Sequence, residues 1–147
     1  MNKRFLPLVI LLTTGSISRA QFNVAYHQSS IPFASVSYDF KRFHPDLRIS
    51  TDVTAGNLSP ELTVNYKFIH REDYYCYTGL GARANLLPGL VIPVGFTVFP
   101  FTKKTLGFHT EIALVGIGDE GDFALRGSWG IKFRFSGRGE NEASRTK

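Results

Sequence analysis

Three side chains near the end of the chain raise a chemical question: His109 and Glu111 in "GFHTEIA", and Ser128 in "LRGSWGIKFRF". A hydroxyl, an imidazole and a carboxylate are the parts of a nucleophile, its base and the group that orients the base. In an extended segment His109 and Glu111 share a face, about 7 Å apart. "GLGARA" (79–84) has the outline of a dinucleotide-binding turn, but the turn "NLLPG" follows it where a helix is required. "GDEGD" (118–122) gathers Asp119, Glu120 and Asp122. A weak divalent-ion site linking to anionic lipopolysaccharide is the sharper reading of these acids. A solvated hairpin turn is the plainer one, because a calcium loop needs more oxygen ligands at set spacing. The four histidines (27, 44, 70 and 109) have no paired metal spacing, and Cys76 is the only cysteine. A cysteine-based metal cluster and an internal disulfide are therefore excluded, and neither a metal nor a cofactor is expected.

What these residues can do depends on the elements that carry them. Helical periodicity is nearly absent, and alternating runs separated by turn clusters recur instead. Eight strands are expected at 22–27, 33–42, 47–54, 61–69, 74–84, 90–101, 105–116 and 123–135. "QSSIP", "FHPD", "AGNLSP", "HRED", "NLLPG", "TKK" and "GDEGD" lie between them as short connections. Short connections suit antiparallel neighbours. Most of these strands reach or approach the 9–11 residues, roughly, that a tilted membrane strand needs. The first looks short, and Pro93 requires a bulge or a place near the rim.

The two faces of each strand differ in kind. Leu125, Gly127, Trp129, Ile131, Phe133 and Phe135 alternate with Arg126, Ser128, Gly130, Lys132 and Arg134. The other strands repeat this pattern, with polar faces made of small residues and charges of both signs. A water-facing surface favours long Lys and Glu over Gly and Ser, whereas a crowded barrel interior has room for small residues and for charges that can pair. The pattern therefore predicts an inside-out barrel with its apolar face in lipid. Lys41, Arg48, Lys67, Arg83, Arg126, Lys132 and Arg134 then point inward with Asp39, Asp52, Glu61 and Glu111. An eight-stranded interior is just wide enough for side chains to fill, so a salt-bridged plug is expected. A narrow pore with an anion preference is the alternative.

On these faces His109 and Ser128 also point inward, and Glu111 is expected to pair with Arg126 or Lys132. A lipid-modifying hydrolase needs its active residues facing lipid, so no enzyme is expected. Gly79 and Gly81 are read as making room for Arg83, and Cys76 as a small filler on the lipid face. Aromatics add a further signal. Phe40, Phe43, Phe68, Tyr74, Tyr75, Phe99, Phe101, Phe133 and Phe135 all fall at strand ends on one side, as in the belt of a transmembrane barrel.

The termini set the expected compartment. "MNKRF", "LPLVILL" and "SRAQ" give a basic start, a short apolar run and a small residue at Ala20. This is the layout of a secretory signal peptide over residues 1–20, cleaved near Ala20. Three of the cations behind the formal +5 leave with it (Lys3, Arg4 and Arg19), so the basic balance is no argument for nucleic acid. A barrel over 21–135 and a polar, disordered tail over 136–147 complete the expected organisation.

"GLGAR", "PVGFTVFPF", "GFHTEIA" and "GSWGIKFRF" resemble segments of the small outer-membrane β-barrel proteins of Gram-negative bacteria, above all the porin-like barrels of the Bacteroidetes group. The likeness runs over about 77–135 in detail and over the first half by pattern only. It implies an all-β, eight-stranded, up-and-down transmembrane barrel in the cell outer membrane. It also implies a signal for the barrel-assembly machinery at Gly130, Phe133 and Phe135, although twelve residues follow the final Phe where the family commonly ends. A structural or interaction role is expected, as a monomer among outer-membrane lipid and lipopolysaccharide. A soluble, lipocalin-like ligand binder is the other fold that the alternation permits.

Overall fold

The computed structural model describes residues 21–50, 58–85, 87–118 and 123–135. Its elements are strands: β1 (Gln21–Ser29), β2 (Phe33–Asp39), β3 (Phe43–Ser50), β4 (Pro60–His70), β5 (Tyr74–Arg83), β6 (Gly89–Val98), β7 (Leu106–Ile117) and β8 (Ala124–Phe135). Each pairs antiparallel with its sequence neighbours, and β1 closes on β8 from Phe22↔Phe135 to Ser29↔Ser128. The result is a closed up-and-down barrel, which leaves no strand edge unpaired. The expected signal peptide (1–20) and tail (136–147), with Asp52, Asp119, Glu120 and Asp122, lie outside the described residues.

Alternation decides the faces. The outward set is apolar, with Val36, Leu62, Val94, Ile112, Trp129 and Ile131 all exposed, and the inward set is polar. The core is thus a lumen of paired charges with two small apolar clusters, Tyr75–Tyr77–Phe99 and Val91–Ala113–Val115.

Several strand ends differ from the sequence reading. "FHPD" is not a turn: Phe43, His44, Pro45 and Asp46 open β3. The chain reverses at Lys41 and Arg42 instead, between reciprocal Phe40–Phe43 backbone bonds of 2.8 and 2.6 Å. Lys41 takes a φ of 42° there. Its side chain is therefore exposed in the turn, not inside the barrel. The first strand has nine residues, longer than its apolar run suggests.

Pro93 sits at neither a bulge nor the rim. It lies mid-strand where the β5–β6 pairing lapses between Thr78↔Val94 and Gly81↔Val91. Without an N–H to donate, proline is tolerated where the ladder is already open, and the Thr78 hydroxyl donates to the Pro93 carbonyl at 3.1 Å.

Candidate functional site: the charged lumen

The sequence brings guanidiniums and carboxylates to one level of the barrel through register. Arg48 stands opposite Glu61, Glu61 opposite Arg83, and Ala113 opposite Arg126. Arg48 reaches across to β7, where it grips Glu111 with two bonds of 2.8 and 2.7 Å. It also donates to Glu61 at 3.0 Å and to Asp46 at 2.8 Å. Arg126 grips Glu61 with two bonds of 2.8 and 2.9 Å, and Arg83 adds a third cation at 3.1 Å. The Tyr77 hydroxyl donates to Glu111 at 2.6 Å. The Arg48–Glu111 and Arg126–Glu61 pairs are charge-assisted bonds in fork geometry, the strongest kind a buried ion pair makes. Their geometry offsets the desolvation of groups that are only about 1% exposed. The Phe33 ring lies under two of the guanidiniums, 5.3 Å from Arg48 and 4.4 Å from Arg126, within cation–π range.

Toward the end where β1 starts and β8 finishes, a second cluster gathers on Asp39. Lys67 and His44 each approach it at 2.5 Å, and Arg134 stands 4.0 Å away. Lys132 does not reach this carboxylate. It donates to the Tyr75 hydroxyl at 2.9 Å and lies 3.1 Å from Nε2 of His44. Phe99 and Tyr75 fill the section between, with Arg134 stacked 3.8 Å over Phe99 and Lys67 4.5 Å over Tyr75.

Glycines open the space for these rings. A Cβ on Gly95 would fall 2.3 Å from the Tyr77 ring, and one on Gly107 would fall 2.7 Å from Phe99. Gly79 and Gly81 do not serve Arg83, as the spacing suggested. Added Cβ atoms there would strike Asn65 and Thr63 on β4, because those are their cross-strand neighbours.

Among the residues singled out from sequence, Arg48, Glu61, Arg83, Glu111 and Arg126 form one cluster, and Asp39, Lys67 and Arg134 another. Glu111 takes Arg48 as its main partner, with Arg126 at 3.6 Å and no bond to Lys132. His109, Glu111 and Ser128 all face inward but do not form a relay. Ser128 pairs with Glu111 in register, while His109 stands opposite Gly130. Nε2 of His109 lies 2.6 Å from Nδ1 of His27, whose other nitrogen meets the Ser35 hydroxyl at 3.1 Å. Tyr75 and Phe99 leave the predicted belt altogether, being buried inside. Phe40, Phe43, Phe68, Tyr74, Phe101, Phe133 and Phe135 remain exposed at that end. Cys76 is a free thiol, half-buried. Among the described residues, no group of His, Cys, Asp and Glu is placed to hold a metal.

His44 and Asp46 were missed from the sequence because proline and aspartate gave "FHPD" the look of a turn. Extending the third strand's alternation backwards through Pro45 would have found both.

No family model and no curated protein matches the chain. Solved structures do. The solution NMR structure of de novo designed TMB2.3 is similar with a TM-score of 0.58 at 12% identity, over 81% of this chain and 95% of that one. A second, described as de novo design of transmembrane beta-barrels, gives 0.55 at 11% identity, over 80% and 95%. The fold is that of an eight-stranded transmembrane β-barrel. Its likeness to these designs is one of architecture, and the lumen chemistry described above is the chain's own.

Proposed function

We propose that this chain is an integral outer-membrane β-barrel with a structural or interaction role, its lumen filled by side chains. The observation that carries the reading is the division of faces: apolar residues ring the outside of all eight strands, and paired charges fill the inside. Outward aliphatic residues supply insertion energy, and closure satisfies every strand in hydrocarbon. The exposed aromatics at one end fit an interface girdle at the periplasmic side. Phe133 and Phe135 with Gly130 on β8 fit a signal for the barrel-assembly machinery. Residues 1–20 supply a leader removed near Ala20. The working form is a monomer among lipid and lipopolysaccharide. No hydrolase chemistry is assigned, since His109 is engaged by His27 and Ser128 lies beside a carboxylate already held by Arg48.

A specific observation favours a second reading. Among the described residues, six inward cations (Arg48, Lys67, Arg83, Arg126, Lys132 and Arg134) face four carboxylates (Asp39, Asp46, Glu61 and Glu111). That excess suits a narrow anion-preferring pore. Reconstitution into liposomes and planar bilayers separates the two. The filled barrel gives a band whose gel mobility changes on boiling and no unitary conductance. The pore gives conductance steps that fall when Arg83 or Arg126 is neutralised. A protein that stays in the aqueous phase refutes both.

A further inference from the structure

The end of the barrel that carries the three short turns opens into a charged vestibule of about 540 Å³. Six cations line it: Lys41, Lys67, Arg71, Lys103, Lys104 and Arg134. Among the described residues, two carboxylates, Asp39 and Glu72, line it with them. Asp39 is already occupied by Lys67 and His44, so it offers little repulsion to an incoming anion. Lys104 pairs with Asp73 and donates to the Phe99 carbonyl at 3.1 Å. The side chains of Lys41, Arg71 and Lys103 have no ion-pair partner among the described residues. Deeper in, the buried Nε of Arg134 has no hydrogen-bond partner among the described residues, and its guanidinium carbon lies 3.8 Å from the centre of the Phe99 ring.

These features add up to more than a solvated surface. The cations come from four separate places in the chain: the β2–β3 turn, the far part of β4 with the turn after it, the β6–β7 turn, and β8. They converge on one concavity, two of whose cations, Lys67 and Arg134, lie over the buried Tyr75 and Phe99 rings. Free cationic donors around one recess are what a compact oxyanion requires. The surrounding aromatics Phe40, Tyr74 and Phe101 are exposed at the same end, which sets the recess at headgroup depth in a membrane barrel. We propose that this vestibule binds a phosphate group, presented either by a lipid headgroup or by a soluble ion. This goes beyond the structural role above, which requires no ligand.

The test uses the full chain refolded in dodecyl maltoside, a detergent without phosphate. Inorganic phosphate is titrated by calorimetry against a chloride control. Retention of phosphatidic acid is compared with that of diacylglycerol by native mass spectrometry. The double variant Arg71→Gln/Lys103→Gln removes two exposed cations of the recess. Arg42→Gln removes one at the same end that lies outside it, on the Tyr66 hydroxyl. Phosphate or phosphatidic acid should bind above its control, about tenfold or more weaker in the double variant and unchanged in Arg42→Gln. Binding of phosphatidic acid alone assigns the headgroup, and binding of inorganic phosphate alone assigns the soluble ion. The proposal fails if neither exceeds its control, if the double variant binds as well as the parent, or if Arg42→Gln weakens binding as much. Gel mobility before and after boiling, read on the same samples, reports separately on the barrel itself.

Discussion

Deep in the lumen, Glu61 is surrounded by the guanidiniums of Arg48, Arg83 and Arg126, and Glu111 is gripped by Arg48 and Tyr77. At the mouth, Asp39 is held by the ammonium of Lys67 and the ring of His44, with Arg134 further off. Both are buried charge clusters, yet their chemistry differs. Planar guanidinium forks meet planar carboxylates two bonds at a time and fix geometry. Ammoniums are point charges that accept many orientations and also rest on the Tyr75 ring. The deep cluster pairs within itself, apart from the buried Nε of Arg126 and Oδ1 of Asp46, whereas the mouth cluster faces a vestibule with cations to spare. The same residue classes thus lock one section of the barrel and leave another open to a ligand.

The largest effect is expected where the locking is tightest. Glu61→Gln removes the charge that three cations share, leaving guanidiniums buried and under-compensated, at a cost of about 3–5 kcal/mol. Urea unfolding in lipid vesicles reads this as a large fall in midpoint; an unchanged midpoint would break the contrast with the mouth. Next comes Gly130→Ala, whose new Cβ would fall 1.9 Å from the Tyr26 carbonyl oxygen, a clash worth about 3 kcal/mol. Gly127→Ala on the outward face of the same strand meets nothing within 4 Å and should stay within about 0.5 kcal/mol. The pair thus separates lumen from lipid face by a single methyl group.

Asp39→Asn at the mouth should cost about 2 kcal/mol, the scale of one charged hydrogen bond, because Lys67 keeps the Tyr75 ring and gains access to the vestibule. If it costs as much as Glu61→Gln, the mouth is as locked as the centre. Lys103→Gln, exposed at the rim, should leave the unfolding midpoint within about 0.5 kcal/mol.

Alternation made most of this legible. From β4 to β8 the period of two holds apart from register shifts between Lys67 and Ile69 and between Leu90 and Val91, and Glu61, Lys67, Arg83, Glu111, Arg126, Lys132 and Arg134 all follow from it. It failed where local chemistry mimics something else. "FHPD" has the composition of a turn but pairs as strand from Phe43↔Tyr66 onward, since closure of the barrel outweighs local turn preference. Tyr75 and Phe99 stand at strand ends like belt residues, yet parity sends them inward. The glycines opposite their level, such as Gly107 beneath Phe99, were the missed signal. Which guanidinium grips which carboxylate was not legible at all. Partners such as Arg48 and Glu111 meet across the lumen from strands that are not neighbours, and no spacing in the chain encodes that encounter.

The most direct measurement places a spin label on the outside of the barrel. Ile112→Cys and Ile131→Cys, each made with Cys76→Ser, put a nitroxide at positions 58% and 49% exposed on β7 and β8. In liposomes the account predicts strong relaxation by oxygen dissolved in the hydrocarbon and weak relaxation by a water-soluble nickel chelate. Labels that the nickel chelate relaxes freely, or that neither reagent reaches because protein covers them, would contradict an apolar face turned toward lipid.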